Sequence, residues 1–312
     1  MTTDALEREA AGTRAVRPSG RTAGRWGREK VELAIFGVLR WVALVFFLII
    51  TIVPFYYMLL LSFRQIAQVV AAPADLIVAP SELSFDAFRE VLTPVSGGGQ
   101  GFLTFLRNSA LVAVGTVILT LTLAIPGAYA VSRLDFFGKR SVSTLFLSVY
   151  LFPGIVLAIP LFVLFTKLGL RDSLPGLVIV YMAQTVPVAL YMLRNYFETV
   201  PVSLEEAAAV DGASRLGVIR RISLPLALPA VAATSLYVFM IAWNEFLFAL
   251  LFLSTRREAW TVSLGLSQLV SVEVPTTLLM AGSIILTVPI IVLFLFAERL
   301  MTEGLTRGAE KG

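Results

Sequence analysis

Histidine and cysteine are both absent from this sequence. Their absence removes histidine-based zinc sites, thiolate chemistry, disulfides and a Ser-His-Asp triad. Carboxylates, amides, hydroxyls and aromatic rings remain. Those that interrupt apolar stretches are the informative ones, because lipid penalises them. Gln184, Tyr191 and Asn195 recur at spacings of seven and four, which puts them on one helical face. Trp243-Asn244-Glu245 is a second polar step, and Tyr150 a third. Such groups suit hydrogen bonds and stacking against a sugar. They equally suit bonds between neighbouring helices, and the sequence leaves both roles open.

A polar, helix-prone island lies between two long apolar segments. It runs Glu205-Glu206-Ala207-Ala208-Ala209-Val210-Asp211-Gly212 and on to Ile222-Ser223-Leu224-Pro225. Ser203 and Glu206, three apart, predict a capping box in which each satisfies the other's free backbone amide. Leu204, Ala207 and Ala208 then share a face, and Gly212 supplies a left-handed stop. A second short helix is expected from Ser214. It must end before Pro225, because the residue preceding a proline is pushed out of the helical region. The product is a helix–Gly–helix knob with a small alanine face, shaped to enter a cleft of another protein.

Glu206-Ala207-Ala208, three residues, Gly212, nine residues, Ile222, one residue and Leu224-Pro225 together resemble the EAA loop of ABC importer permeases. Seven fixed residues keep register over twenty positions, so the likeness is specific. Asp211-Gly212-Ala213-Ser214, Ala242-Trp243-Asn244-Glu245-Phe246, and Phe152-Pro153 with Ile159-Pro160-Leu161 are similar to the carbohydrate branch, the maltose-type, MalG-like subunits. So is the end, Gly304-Leu305-Thr306 through Lys311-Gly312. The likeness covers roughly residues 35–312 and leaves the N-terminal tail unmatched.

The resemblance implies an all-α type I importer permease, multi-pass in a bacterial inner or plasma membrane and not itself an enzyme. It implies a second, MalF-like permease subunit, two ABC ATPase subunits that carry the ATP and Mg, and an extracytoplasmic substrate-binding protein. No cofactor, metal or nucleic acid is expected on this chain. The implied ATPase-coupling set is Glu205, Glu206, Ala207, Ala208, Asp211, Gly212, Ile222, Leu224 and Pro225. Within it, Glu206 would pair with a basic group in the ATPase cleft and Gly212 would set the turn. Residues 300–312 would reach between the ATPases, and 254–276 would probe the binding protein. The implied cargo is a disaccharide or short oligosaccharide of trehalose or maltose type, with glycerol phosphates as an outlying alternative.

The elements that must position these groups are apolar. The 312 residues are 57% hydrophobic and only 15% charged, with a mean hydropathy of +0.85; soluble domains carry about 25% charged residues. Six segments near the ~20 residues needed to span a bilayer are predicted at about 38–62, 106–132, 142–167, 174–197, 226–253 and 277–299. With the N-terminus inside, eighteen of the twenty-five lysines and arginines fall in cytoplasmic segments. The positive-inside rule therefore predicts N-in and C-in, with the knob in the cytoplasm.

The division expected is a disordered arginine-rich tail at 1–34, a permease domain at 35–299 with its coupling loop at 198–225, and a C-terminal tail at 300–312. External loops are expected at 63–105, with a short amphipathic piece 85–92 and a flexible Gly97–Gly101 run, and at 254–276. The stretch Lys167–Ser173 predicts a tight hairpin. Pro126, Pro153, Pro160, Pro187, Pro229 and Pro289 predict kinks. No G-x-x-x-x-G-K-[ST] run is present, so the chain is no P-loop ATPase. A membrane enzyme lacks a clustered acid–base pair. An autonomous channel or secondary transporter is the alternative, and a cytoplasmic knob serves it no purpose.

Overall fold

Lipid offers backbone amides and carbonyls no partner, so a long apolar stretch is driven into helix. The computed structural model, which describes residues 23–309 apart from 74 and 151–152, follows that rule: among the described residues every regular element is helical. The chain divides into two compact units, residues 1–56 and 57–312. Most of α1 (Ala23–Ser62) forms the first. Its large apolar side chains from Leu33 to Phe55 are exposed, as on a helix that meets lipid. The helix starts at Ala23, inside the stretch expected to be a disordered tail. Residues 1–22 lie outside the described residues.

In the second unit, α2 (Ile66–Ala71) and α3 (Asp86–Leu92) precede the long α4 (Phe102–Arg133). The Gly97–Gly101 run expected to be flexible is a bonded turn. Gln100 N–H donates to the Glu90 carbonyl at 3.0 Å and Gly101 N–H to that of Thr93 at 2.8 Å. After α4 come α5 (Lys139–Tyr150), α6 (Gly154–Lys167) and α7 (Leu174–Thr199). Then follow α8 (Val202–Val210), α9 (Arg215–Val218), a π-helical turn Ile219–Ser223 and α10 (Leu224–Leu226). The rest is α11 (Leu228–Asn244), α12 (Leu247–Leu253), α13 (Val262–Ser267) and α14 (Thr276–Ala309).

Among the described residues, four helical stretches are long and apolar enough to cross a membrane: Glu32–Ser62, Phe102–Arg133, Leu174–Thr199 and Thr276–Met301. Arg215–Leu226 with Leu228–Asn244, bent by 76°, makes a fifth if the pair is one span. Two of the six expected segments contain breaks. Within 142–167, Pro153 is extended at φ −64°, ψ 120° and is the N-cap of α6. The segment 226–253 is broken after Asn244, where Glu245 is extended at φ −65°, ψ 130°. Pro126, Pro160, Pro187 and Pro289 sit inside helices, whereas Pro229 stands in the first turn of α11. There its missing amide costs nothing.

Packing centres on α4 against α7. A Cβ at Gly127 would stand 3.1 Å from Leu190 Cδ1, so glycine allows the close approach. Thr120 and Thr185 share a buried hydrogen bond of 2.8 Å midway along the pair. One apolar cluster gathers Tyr181, Trp243, Phe248 and Phe252, and a second gathers Ala128, Tyr129, Leu193, Phe197 and Val238. A third joins Phe102 and Phe105 to Val262, Leu278 and Ala281. The second cluster is the floor on which the polar island stands.

Candidate functional site

The island folds as a knob between α7 and α11. Helix α8 begins at Val202 behind Pro201, which takes the N-cap with φ −59° and no side-chain cap. Ser203 therefore sits inside the helix, and the expected capping box with Glu206 does not form. The C-terminal stop is as expected. Gly212 has φ +84°, its N–H donates to the Ala209 carbonyl at 3.1 Å, and the N–H of Ala213 to that of Ala208 at 3.0 Å. That pair of bonds is a Schellman closure. Ser214 caps α9 by accepting from Gly217 N–H at 3.3 Å.

The second helix does not end before Pro225. Helical backbone continues through Ile219–Ser223 and Leu224–Leu226, with Pro225 in the opening turn of α10. A widened turn leaves room for the proline ring, and the bend comes at Ala227 instead. Glu206, Ala207, Asp211, Gly212 and Pro225 are exposed, while Ala208, Ile222 and Leu224 are half-buried. Val210 at the tip is 87% exposed. Glu205 departs from this outward set: it is buried, and its partners lie within its own chain.

The groups singled out along the spans do not gather at one place. Gln184 is half-buried on α7, and Tyr191 and Asn195 are exposed. Asn195 lines an apolar groove of about 430 Å³ with Tyr196, Thr199, Pro229, Thr234 and Met301. Trp243 is buried, stacked on Phe239 and donating to the Leu286 carbonyl at 3.0 Å. Asn244 is exposed and donates to the Met240 carbonyl at 2.9 Å. The Glu245 carboxylate accepts from Tyr181 and from the amides of Phe248 and Ala249. The side chain of Tyr150 lies outside the described residues, as does Phe152.

Residues 117–303, more than half the chain, match the family described as binding-protein-dependent transport system inner membrane component. The chain belongs to this family. The permease is 37% identical over 270 residues to the inner membrane ABC transporter permease protein YcjP of Escherichia coli, covering 86% of this chain and 94% of that one. It is 36% identical to the trehalose/maltose transport system permease protein MalG of Thermococcus litoralis, covering 85% and 93%. Among solved structures it is similar to a chain of a bacterial ABC transporter that imports the acidic polysaccharide alginate. There the TM-score is 0.74 and the identity 26%, over 85% of this chain and 96% of that one. It is thus an ABC importer permease with a multi-pass inner-membrane location.

Sequence reasoning missed several residues that hold the permease's site in place. Tyr129, Arg133 and Ser223 surround Glu205. Arg133 is one of the eighteen cytoplasmic-side charges, and nothing local in the sequence ties it to a residue seventy-two positions away. Asn108 and Ser109 on α4 bind the 254–276 segment: Asn108 donates to the Glu258 and Trp260 carbonyls at 2.7 and 3.0 Å, and Ser109 accepts from Val262 N–H at 2.8 Å. Two adjacent polar residues at the start of an apolar run were the available signal. In the C-terminal stretch expected to be a tail, α14 runs to Ala309, and residues 310–312 lie outside the described residues.

Proposed function

We propose that the chain is one permease subunit of a heteromeric ABC importer for a disaccharide or short oligosaccharide of the trehalose or maltose class. A binding protein would deliver the sugar from outside, and ATP hydrolysed with Mg on two ATPase subunits would drive its passage beside a second, MalF-like permease. The observation that carries this reading is the knob. A short helix with an exposed Glu206 and alanine face, closed at left-handed Gly212, stands between long apolar helices, in a chain of the binding-protein-dependent family. The lysine and arginine distribution puts that knob, with both termini, on the cytoplasmic side. The sugar class is supported by the trehalose/maltose relative and by the polysaccharide importer.

The coupling surface in this reading is Glu206, Ala207, Asp211 and Gly212, with Glu206 meeting a basic group of the ATPase cleft. The test is uptake of radiolabelled trehalose, maltose and longer glucans into proteoliposomes holding the complete complex and its binding protein. Uptake of one such sugar that needs ATP, the binding protein and Glu206 together is the expected result. Uptake by this chain without an ATPase would overturn it.

A further inference from the structure

Arg133 and Glu205 form an ion pair of 3.1 Å whose side chains are only 9% and 8% exposed. Around it, the Tyr129 hydroxyl donates to Glu205 Oε2 at 3.0 Å and the Ser223 hydroxyl to Oε1 at 3.0 Å. The other arm of Arg133 donates through Nη2 to the Val200 carbonyl at 2.6 Å. Four pieces of chain meet there: the end of α4, the residue capping α7, the first half of α8, and the π-helical turn ahead of α11. An exposed ion pair contributes little. An enclosed one with its remaining lone pairs occupied is different, because removing either partner strands a charge.

Glu205 is also the single buried residue of α8. No apolar side chain of that helix is buried as deeply, so the enclosed polar contact is its firmest hold on the spans. The next residue, Glu206, is exposed. One helical step, about 100°, separates a carboxylate turned into the permease from one turned out toward a partner.

We propose that Glu205 is a positioning residue that pins the base of the knob to α4, α7 and the turn before α11. A displacement of the knob by a docked ATPase is then carried into those spans instead of being absorbed where the chain leaves and enters α8. The transmission half of this proposal rests on the docking reading above; the pinning half is internal to the chain.

The permease has no cysteine, so Val210→Cys at the exposed tip and Leu119→Cys on the exposed side of α4 accept spin labels at those two sites alone. In the assembled complex in lipid, the parent chain gives a narrow distance distribution between the labels. Glu205→Gln broadens it, and sugar carried per ATP hydrolysed falls about two- to thirtyfold, the range of measured coupling perturbations. Tyr129→Phe, which keeps the ion pair, shifts both readouts the same way by less. Arg133→Lys restores part of what Arg133→Met loses.

Should Glu205→Gln not assemble, Tyr129→Phe and the Arg133 pair decide by the same readouts. Parent-like distance distributions in these variants overturn the pin. A broadened distribution with unchanged sugar per ATP overturns the transmission. If Val210→Cys in the parent complex fails to cross-link to the ATPase, the docking reading fails by itself, and the label distances still decide the pin.

Discussion

Tyr181 on α7 donates its phenol proton to the carboxylate of Glu245, in the break between α11 and α12. That carboxylate also accepts the amide of Phe248 at 2.9 Å and that of Ala249 at 3.2 Å, which caps the start of α12. A carboxylate among apolar helices is costly unless its lone pairs are occupied, and three donors of its own chain occupy this one. The backbone carbonyl of Glu245 is taken as well, by Ser263 at 2.7 Å. Between the two roles that the sequence leaves open, this geometry favours holding helices together over touching cargo.

Glu245→Gln is therefore expected to lower thermal stability of the assembled complex by about 1–3 kcal/mol, the cost of leaving buried groups unpaired. Tyr181→Phe should cost less, since the two amide bonds remain. The half-saturation for uptake should stay unchanged in both. Thermal melts of the purified complex beside uptake curves check this. A raised half-saturation at parent stability would return Glu245 to the cargo path.

Gly212→Val forces a β-branched residue to φ +84°, a strain of about 1–3 kcal/mol, and opens the Schellman closure of α8. Glu206→Ala leaves the fold alone and removes the outward charge. Both are expected to abolish transport and substrate-stimulated ATP hydrolysis with the chain still inserted in the membrane. Their common loss at equal membrane levels, by immunoblot and ATPase assay, is the measure. Normal stimulation in both would disprove the coupling assignment.

What could be read from the chain follows the range of the interactions. The knob's stop was legible because Gly212, Ala213 and Ser214 act on backbone within five residues. Its start was misread because Pro201 competes with Ser203 for the N-cap, and both are permitted there. Helix as the material was legible from hydropathy alone. Hydropathy gives no sign of a break, so the end of α11 at Asn244 reads in the sequence as continuous span. The clamp on Glu205 was out of reach, since Tyr129 and Arg133 lie seventy-six and seventy-two positions away and a buried Glu205 reads like its exposed neighbour.

The chain expressed alone is expected neither to bind ATP nor to accumulate sugar, because it has no phosphate-cradling loop. Co-expressed with a second permease and an ATPase of the proposed importer, it should purify as one complex by affinity tag and gel filtration. Sugar accumulation in vesicles containing this chain only would support the channel or secondary-transporter class.

Asn108 gives the sharpest test of how the 254–276 segment is held. It is only 6% exposed, and its amide donates to two carbonyls, those of Glu258 and Trp260, while its neighbour Ser109 accepts from Val262. Trp260 is fixed again through its indole N–H to the Leu253 carbonyl at 2.9 Å. Asn108→Ala strands both carbonyls and should cost about 1–3 kcal/mol. The indole bond and the packing of Phe105 on Trp260 remain, so the segment should loosen while the helices beneath it stay folded. In hydrogen exchange of the assembled complex, amides of residues 256–262 should exchange faster and those of α4 should not. If this segment meets the binding protein, the concentration of binding protein needed for half-maximal ATPase stimulation should rise as well. Faster exchange with an unchanged requirement would leave the segment a tether between spans and move the docking surface elsewhere. Unchanged exchange would mean that Trp260 and Ser109 suffice to hold it.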